Sequence, residues 1–405
     1  MLRAGRQIML QRSTSAGNNV DDVVGDAKAL APVIAQNSRR IEQERQIVPE
    51  VLSALHEARL FRMLLPRSCN GLEVDPLSFV RVIEEIAKAD ASTAWCLVQA
   101  SGCAIAAAYL DPAVARDIFG GPRAVMASGP GPSGKAIAVA GGYRVSGIWG
   151  FASGIRHADW LGCHCPVLES DGTPRRGSDG KPFERTMLYP KASARIEEVW
   201  DVIGLKGTGS ERYSVEDLFV PAAYSFTREL AADRREAGAL YRRITNYHIY
   251  GIGFAAVALG IARASLDAFI ALALQKVPST KTAPLRDSAV VQSQVAVAEA
   301  KLASSRCYLL DALQDAWETP GDGETASLEQ RATLKLAGTY AAHQAKDVVD
   351  TVYHSAGATA VFASNPFERR LRDIHTVLQQ IQSHFANFEL VGQVLLGMPS
   401  PSKLI

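Results

Sequence analysis

The chain has almost no excess charge of either sign. Forty-three Lys and Arg stand against 42 Asp and Glu, a formal charge of +1 at pH 7, so no surplus exists to grip a phosphate backbone or an anionic bilayer. Neither nucleic acid nor a membrane is expected as a partner, and no apolar run is expected to reach the roughly 20 residues that span a bilayer. The first 20 residues hold Arg3, Arg6 and Arg12 with no acid before Asp21. They lack the apolar core of a secretory signal, and read as a disordered lead-in to a cytoplasmic protein. Cysteine is sparse: Cys69, Cys96, Cys103, Cys163, Cys165 and Cys307 are scattered, which suits thiols packed as small hydrophobes rather than a disulfide framework. In Cys163-His164-Cys165, strand alternation puts both thiols on one face, and with no second ligand pair nearby the expectation is core packing and no metal. Internal repeats are absent.

What is present is enough apolar residue for a large core: 405 residues, 47% of them hydrophobic, predict two or three domains. From Asp26 to about Leu65, and again from Pro76 to about Tyr109, apolar residues recur at helical spacing, with stops at Pro66 and Asn70-Gly71. After Gly120 the period changes. Segments such as KAIAVAGGYRVSGIWGFASG and RTMLYP alternate between Gly, Pro and Asp-Gly turns, the pattern of strands and hairpins, as far as Pro221. Helical periodicity returns over 241–275, 287–317, 326–356 and 366–396, which predicts a four-helix bundle. The expected fold class is α+β, with a lead-in over 1–20, an N-terminal helical domain over 21–120, a β-barrel or sandwich over 121–232 and the bundle over 233–405.

Three stretches in this order, GGYRVSGIWGFASGIRHADW (141–160), GLKGTGSERYSVEDLFVP (204–221) and NPFERRLRDI (365–374), resemble the acyl-CoA dehydrogenase superfamily. The resemblance covers about 25–395 and implies a flavin between the β domain and the bundle, usually in a homotetramer. It also implies that Ser153 hydrogen-bonds the flavin near N5, that Ser128 is a second flavin contact, and that Phe151 lies beside them. The residues alone make Ser153-Gly154 a strand-end turn, with flexible backbone where a planar ring can approach.

A carboxylate is missing where that family keeps its catalytic base. Eight residues beyond Asp373 stands Ile381, no acid follows until Glu389, and TNYHIYGIGFAAVALGIARASL at the start of the first bundle helix has none. Loss of a general base typically costs 10² to 10⁴ in rate, so α,β-desaturation of an acyl thioester is a poor expectation. What remains resembles the flavin-dependent two-component monooxygenases on this scaffold, and within them the indole-3-acetate monooxygenase type. That resemblance implies reduced flavin (FADH2 or FMNH2) from a separate NAD(P)H:flavin reductase, O2 trapped as a C4a-hydroperoxyflavin, and hydroxylation or epoxidation of a small aromatic substrate. An acyl-CoA dehydrogenase with a base elsewhere and a non-catalytic flavin-binding scaffold are the alternatives.

Such chemistry needs a dry apolar pocket and an acid/base group. Trp95, Ile381 and Phe388 are the expected substrate contacts. His384 and His375 compete for the acid/base role, because on one unbroken helix nine residues place them about 180° apart. By resemblance Lys281 falls where a neighbouring subunit grips the flavin pyrophosphate, and Gly357 in HSAGATAVF where the adenosine part is received. FAD and FMN both remain open.

Overall fold

The computed structural model describes residues 22–131, 133–177, 180–227, 233–279, 281–319 and 325–398; the expected lead-in over 1–20 lies outside them. Five helices come first: α1 (Val23–Glu44), α2 (Pro49–Glu57), α3 (Pro76–Ala89), α4 (Ala91–Ala104) and α5 (Pro112–Phe119). Their starts are written locally. Asp75, Asp90 and Asp111 each cap the helix that follows by accepting from a backbone N–H of its first turn, satisfying groups the helix leaves unpaired.

Eight strands follow: β1 (Met126–Ser128), β2 (Gly134–Val139), β3 (Gly142–Ala152), β4 (Trp160–Leu168), β5 (Glu184–Pro190), β6 (Arg195–Glu197), β7 (Glu211–Pro221) and β8 (Ser225–Phe226). They join in the order β6-β7-β3-β2-β4-β5-β8, with β1 parallel to β4. Strand alternation buries Cys163 and Cys165 in the core, their sulfurs 3.8 Å apart, while His164 turns the other way to Thr186.

The chain then returns to helix: α6 (Ala239–Arg243), α7 (Asn246–Gln275), α8 (Ala289–Glu318), α9 (Leu328–Ala356), α10 (Phe367–Val377) and α11 (Ala386–Leu395). One expectation fails here. The segment 366–396 is not one helix, since α10 ends at Val377 and α11 begins at Ala386, so the angular argument separating His375 from His384 does not apply. The intervening QQIQSHF folds instead through short turns, with the Asn387 side chain donating to the carbonyls of Ile381 and Gln382.

A second correction concerns apolar length. Ala91–Tyr109 and Asn246–Gln275 are both long and apolar enough to cross a membrane by composition. The first lies inside the fold, with 94% of its window buried; 56% of the second window is buried, where α7 packs against α3, α4 and α9. A helix apolar on all sides is what such a position requires.

Candidate active site

The turn that ends β3 carries unusual backbone. Phe151 has φ 56° and Gly154 φ 78°, and the strand register slips between Trp149 and Ala152. A left-handed conformation is costly for an aromatic residue and concentrates at functional positions. Between them Ser153 points inward and is buried. Gly154 N–H donates to the Thr208 carbonyl at 2.9 Å, tying the turn to the loop before β7.

That loop, GLKGTGS, is wedged against α10. A Cβ at Gly204 would collide with the Arg372 carbonyl, so only glycine permits the approach. Leu205 follows in the left-handed region and its N–H donates to Asp373 at 2.6 Å. Burial pushes the Asp373 carboxyl up to about 7, against the pull of Arg369 and this hydrogen bond.

From here a line of hydrogen bonds runs to α4, and its direction can be deduced. A carbonyl only accepts, so the Thr208 hydroxyl donates to Leu205 O, 2.8 Å away. Ser210 then must donate to Thr208 at 2.7 Å, and Ser153 to Ser210 at 2.7 Å. Trp95 Nε1–H, a donor only, gives its hydrogen to Ser153 Oγ at 3.0 Å. Every proton points away from Trp95. Ser153 therefore offers an outside group its remaining lone pair, not its proton.

Trp95 stacks on Phe254 of α7, ring centroids 3.9 Å apart, and Phe254 stacks on Tyr250 at 5.9 Å. Tyr247, Gly251 and Phe254 share one stripe of α7 at helical spacing. The stripe leads into a narrow cleft lined by Tyr247, His248, Gly251, Ile252, Leu334, Lys335, Gly338 and Gln382, with about 10 Å³ of enclosed space, roughly enough for one water. None of these is a carboxylate. Lys335 is only 6% exposed, its ammonium 4.3 Å from the Tyr247 ring centroid and 3.1 Å from the Tyr247 hydroxyl. His248 stays neutral, because burial, helped by the nearby Lys335 charge, pushes it down to about 4 against the pull of the Arg331 carbonyl to which its Nε2–H donates.

The expected site residues divide into groups. Ser153 and Trp95 are joined directly, Phe151 lies two residues away, and Ser128 adjoins them because Gly129 packs against the Gly150 backbone. Ile381 stands 54% exposed beside the cleft residue Gln382. Phe388 packs instead on His343 and Phe385. His384 is exposed; its Nδ1 accepts from Ala386 N–H, leaving the proton on Nε2, which has no partner among the described residues. His375 Nε2 is held by Asp350 at 2.9 Å, on the α9 side of α10. Among the described residues, no hydrogen bond or ring contact joins either histidine to Ser153 or Trp95. Lys281 is exposed in the turn after α7, and Gly357 ends α9 with φ 58° near Lys276. That end of the bundle is about 30 Å along α7 from Phe254.

A planar cofactor fits the outer side of the Ser153 turn. A Cβ at Gly150 meets nothing within 4 Å, and Phe151 leaves 65% of its surface open, with only the edge of Trp200 6.0 Å away. An apolar ring, a serine lone pair and open backbone suit an isoalloxazine edge that carries an N–H. Sequence reasoning missed Ser210, Thr208, Tyr247, Tyr250, Phe254 and Lys335. The aromatic spacing in NYHIYGIGF is a signal for three of them, Thr208 and Ser210 lie in the GLKGTGSERYSVEDLFVP stretch, and nothing local marks Lys335.

Known proteins share the family and the fold. Residues 27–111 match the family model for the acyl-CoA dehydrogenase N-terminal domain, and 252–386 the model for its C-terminal domain. An indole-3-acetate monooxygenase of Pseudomonas putida is 31% identical over 366 residues, 90% of this chain and 91% of that protein. The flavin-dependent monooxygenase oxygenase subunit HsaA of Rhodococcus jostii is 28% identical, over 86% of this chain and 91% of its own. In structure, 3-HSA hydroxylase from Rhodococcus sp. RHA1 superposes with a TM-score of 0.86 at 25% identity, over 96% of this chain and all of that one. The chain belongs to the acyl-CoA dehydrogenase superfamily, in its flavin-dependent monooxygenase branch.

Proposed function

We propose that the protein is the oxygenase component of a two-component flavin monooxygenase. It takes reduced FAD or FMN from a separate NAD(P)H:flavin reductase, uses O2, and hydroxylates or epoxidises a small aromatic, indole-like substrate. The observation that carries this reading is the cleft itself: an aromatic stripe leads from Ser153 to a buried lysine, and none of the cleft's lining residues is a carboxylate. Proton abstraction next to a thioester needs a base there; an aromatic ring that is to be oxygenated needs flat apolar walls and little water. The names of the two relatives support the same class of activity.

In this reading the reduced flavin, when bound, supplies the electrons that activate O2. The residues do the rest. Ser153 accepts from the flavin edge while Trp95 fixes its oxygen in place, and Phe151 and Ser128 cover the ring system. Trp95 and Phe254 wall the substrate space, with Ile381 at its mouth and Phe388 backing that loop through His343. Of the two histidines His384 is the better acid/base group, because its Nε2–H is free to meet a phenol-like oxygen, whereas His375 is committed to Asp350. Lys281 and Gly357 reach a flavin only from another copy of the chain, which supports a homotetramer, as do the exposed Val290 and Val297 on α8.

The test is direct: incubate the protein with a flavin reductase, NADH, flavin and indole in air. Blue pigment from indoxyl coupling is the expected outcome. No pigment and no oxygenated product across a panel of indoles and phenols refutes the reading.

A further inference from the structure

Lys335 is a cation with no counter-charge. Among the described residues its ammonium meets only the Tyr247 hydroxyl, the Tyr247 ring and, at 3.4 Å, Asn387 Oδ1. Of the other buried charged side chains, Glu84 meets Arg306 at 2.8 Å, Glu211 meets Arg156 at 2.8 Å, and Arg62 is held by backbone carbonyls. A buried ammonium that lacks an anion is expensive. Loss of solvent pulls it down to about 8, which still leaves it largely charged at neutral pH.

Beside this ammonium the cleft is narrow but open on the α7 side: a Cβ at Gly338 on α9 would lie 3.5 Å from the Gly251 carbonyl oxygen, whereas a Cβ at Gly251 would meet nothing within 4 Å. An ammonium has three donor hydrogens. With Tyr247 OH and Asn387 Oδ1 taking two, one remains for the cleft. From Tyr247 to Phe254 the stripe covers seven residues, about 10 Å of helix, with the cation at one end and the Trp95–Phe254 stack at the other.

Resting on the monooxygenase reading for its reaction but not for its binding test, we propose that Lys335 is the anchor for a carboxylate on the substrate, so that the protein takes aromatic acids with a short acid arm. Tyr247 holds the ammonium from its ring face and hydroxyl, Asn387 fixes it from the α11 side, and the ring of the ligand reaches back along Gly251 toward Phe254 and Trp95. The cation then sets the register of the ring against Ser153, and a neutral analogue loses that register.

The experiment measures binding without turnover. Isothermal titration of the flavin-free full-length protein compares indole-3-acetate with indole, and 4-hydroxyphenylacetate with 4-methylphenol, for wild type, Lys335→Met and Lys335→Arg. A charge-assisted hydrogen bond predicts that wild type binds at least one acid about 10-fold to 100-fold more tightly than its neutral counterpart. Lys335→Met is expected to abolish that preference while leaving the neutral ligands within about threefold, and Lys335→Arg to keep part of it. Circular dichroism shows whether each variant is folded, and should the methionine variant unfold, the arginine variant and wild type still decide the matter. Equal affinity for acid and neutral partners in wild type, or a preference that survives Lys335→Met, overturns the proposal. Turnover is scored separately: acid binding that depends on Lys335 with no oxygenated product overturns the monooxygenase reading and leaves the anion site standing.

Discussion

Replacing Ser153 by alanine removes one hydroxyl, strands one donor, Trp95 Nε1–H, and takes from Ser210 the proton it accepts. In the folded protein Ser153 accepts from Trp95 Nε1–H and donates to Ser210, both within a buried line that ends on the Leu205 carbonyl. A buried donor left unpaired costs about 1–3 kcal/mol, so Ser153→Ala is expected to destabilise by about that much. Ser210→Ala strands a single donor, the Ser153 hydroxyl, and costs about 1–2 kcal/mol by the same rule. In the double variant the Trp95 N–H is again the one stranded donor, because the Ser153 hydroxyl that Ser210→Ala strands is itself gone. It should therefore cost about as much as Ser153→Ala alone, well short of the sum of the two single losses. Urea denaturation followed by circular dichroism and tryptophan fluorescence measures all three. If the two losses simply add, the protons do not run away from Trp95 and the deduced orientation is wrong. The same orientation predicts that Ser153→Ala raises hydrogen peroxide per NADH at the expense of product, since a flavin N–H loses its acceptor; unchanged coupling removes Ser153 from the mechanism.

Two further outcomes follow from the same geometry. Asp373, raised by burial from an ordinary 3.8 to about 7, holds its proton in the folded chain at pH values where the unfolded chain has lost it. Its contribution to stability is thus fully present below about pH 4 and is lost as pH rises toward 7, so Asp373→Asn should flatten that part of the stability profile; an unchanged slope refutes the assignment. His384→Ala should lower kcat on phenol-like substrates by about 10²-fold, whereas His375→Ala, which breaks only a partly exposed pair with Asp350, should leave kcat unaltered and cost about 1 kcal/mol or less. The reverse result exchanges their roles.

The layer order was readable because it rests on periodicity, which sequence expresses directly: helical spacing to Tyr109, alternation to Pro221, helical spacing again. Where the reading broke, the cause was tertiary. The break between α10 and α11 is held by Asn387 reaching back to the carbonyls of Ile381 and Gln382, a contact that no local pattern in QQIQSHF announces. The apolar length of α4 and α7 was underestimated because a helix central to a large fold and one that spans a bilayer look alike in composition. In the site, the Ser153–Trp95 pair came from two motifs 58 residues apart and was legible only as two separate residues. Lys335 was invisible: on sequence it is one lysine in a charged helix, and only the packing of Tyr247 and Asn387 around it makes it singular. The absent base, by contrast, could be read at once, since an absence over a known interval needs no geometry.

The most direct measurement uses isotopically labelled O2. The protein is supplied with reductase, NADH and flavin together with indole or indole-3-acetate, and the product is analysed by mass spectrometry. One labelled oxygen atom in the product, formed only when reductase and NADH are both present, is the predicted result. Product oxygen derived from water, or anaerobic bleaching of the bound flavin by an acyl-CoA with no need for NADH, would contradict the account.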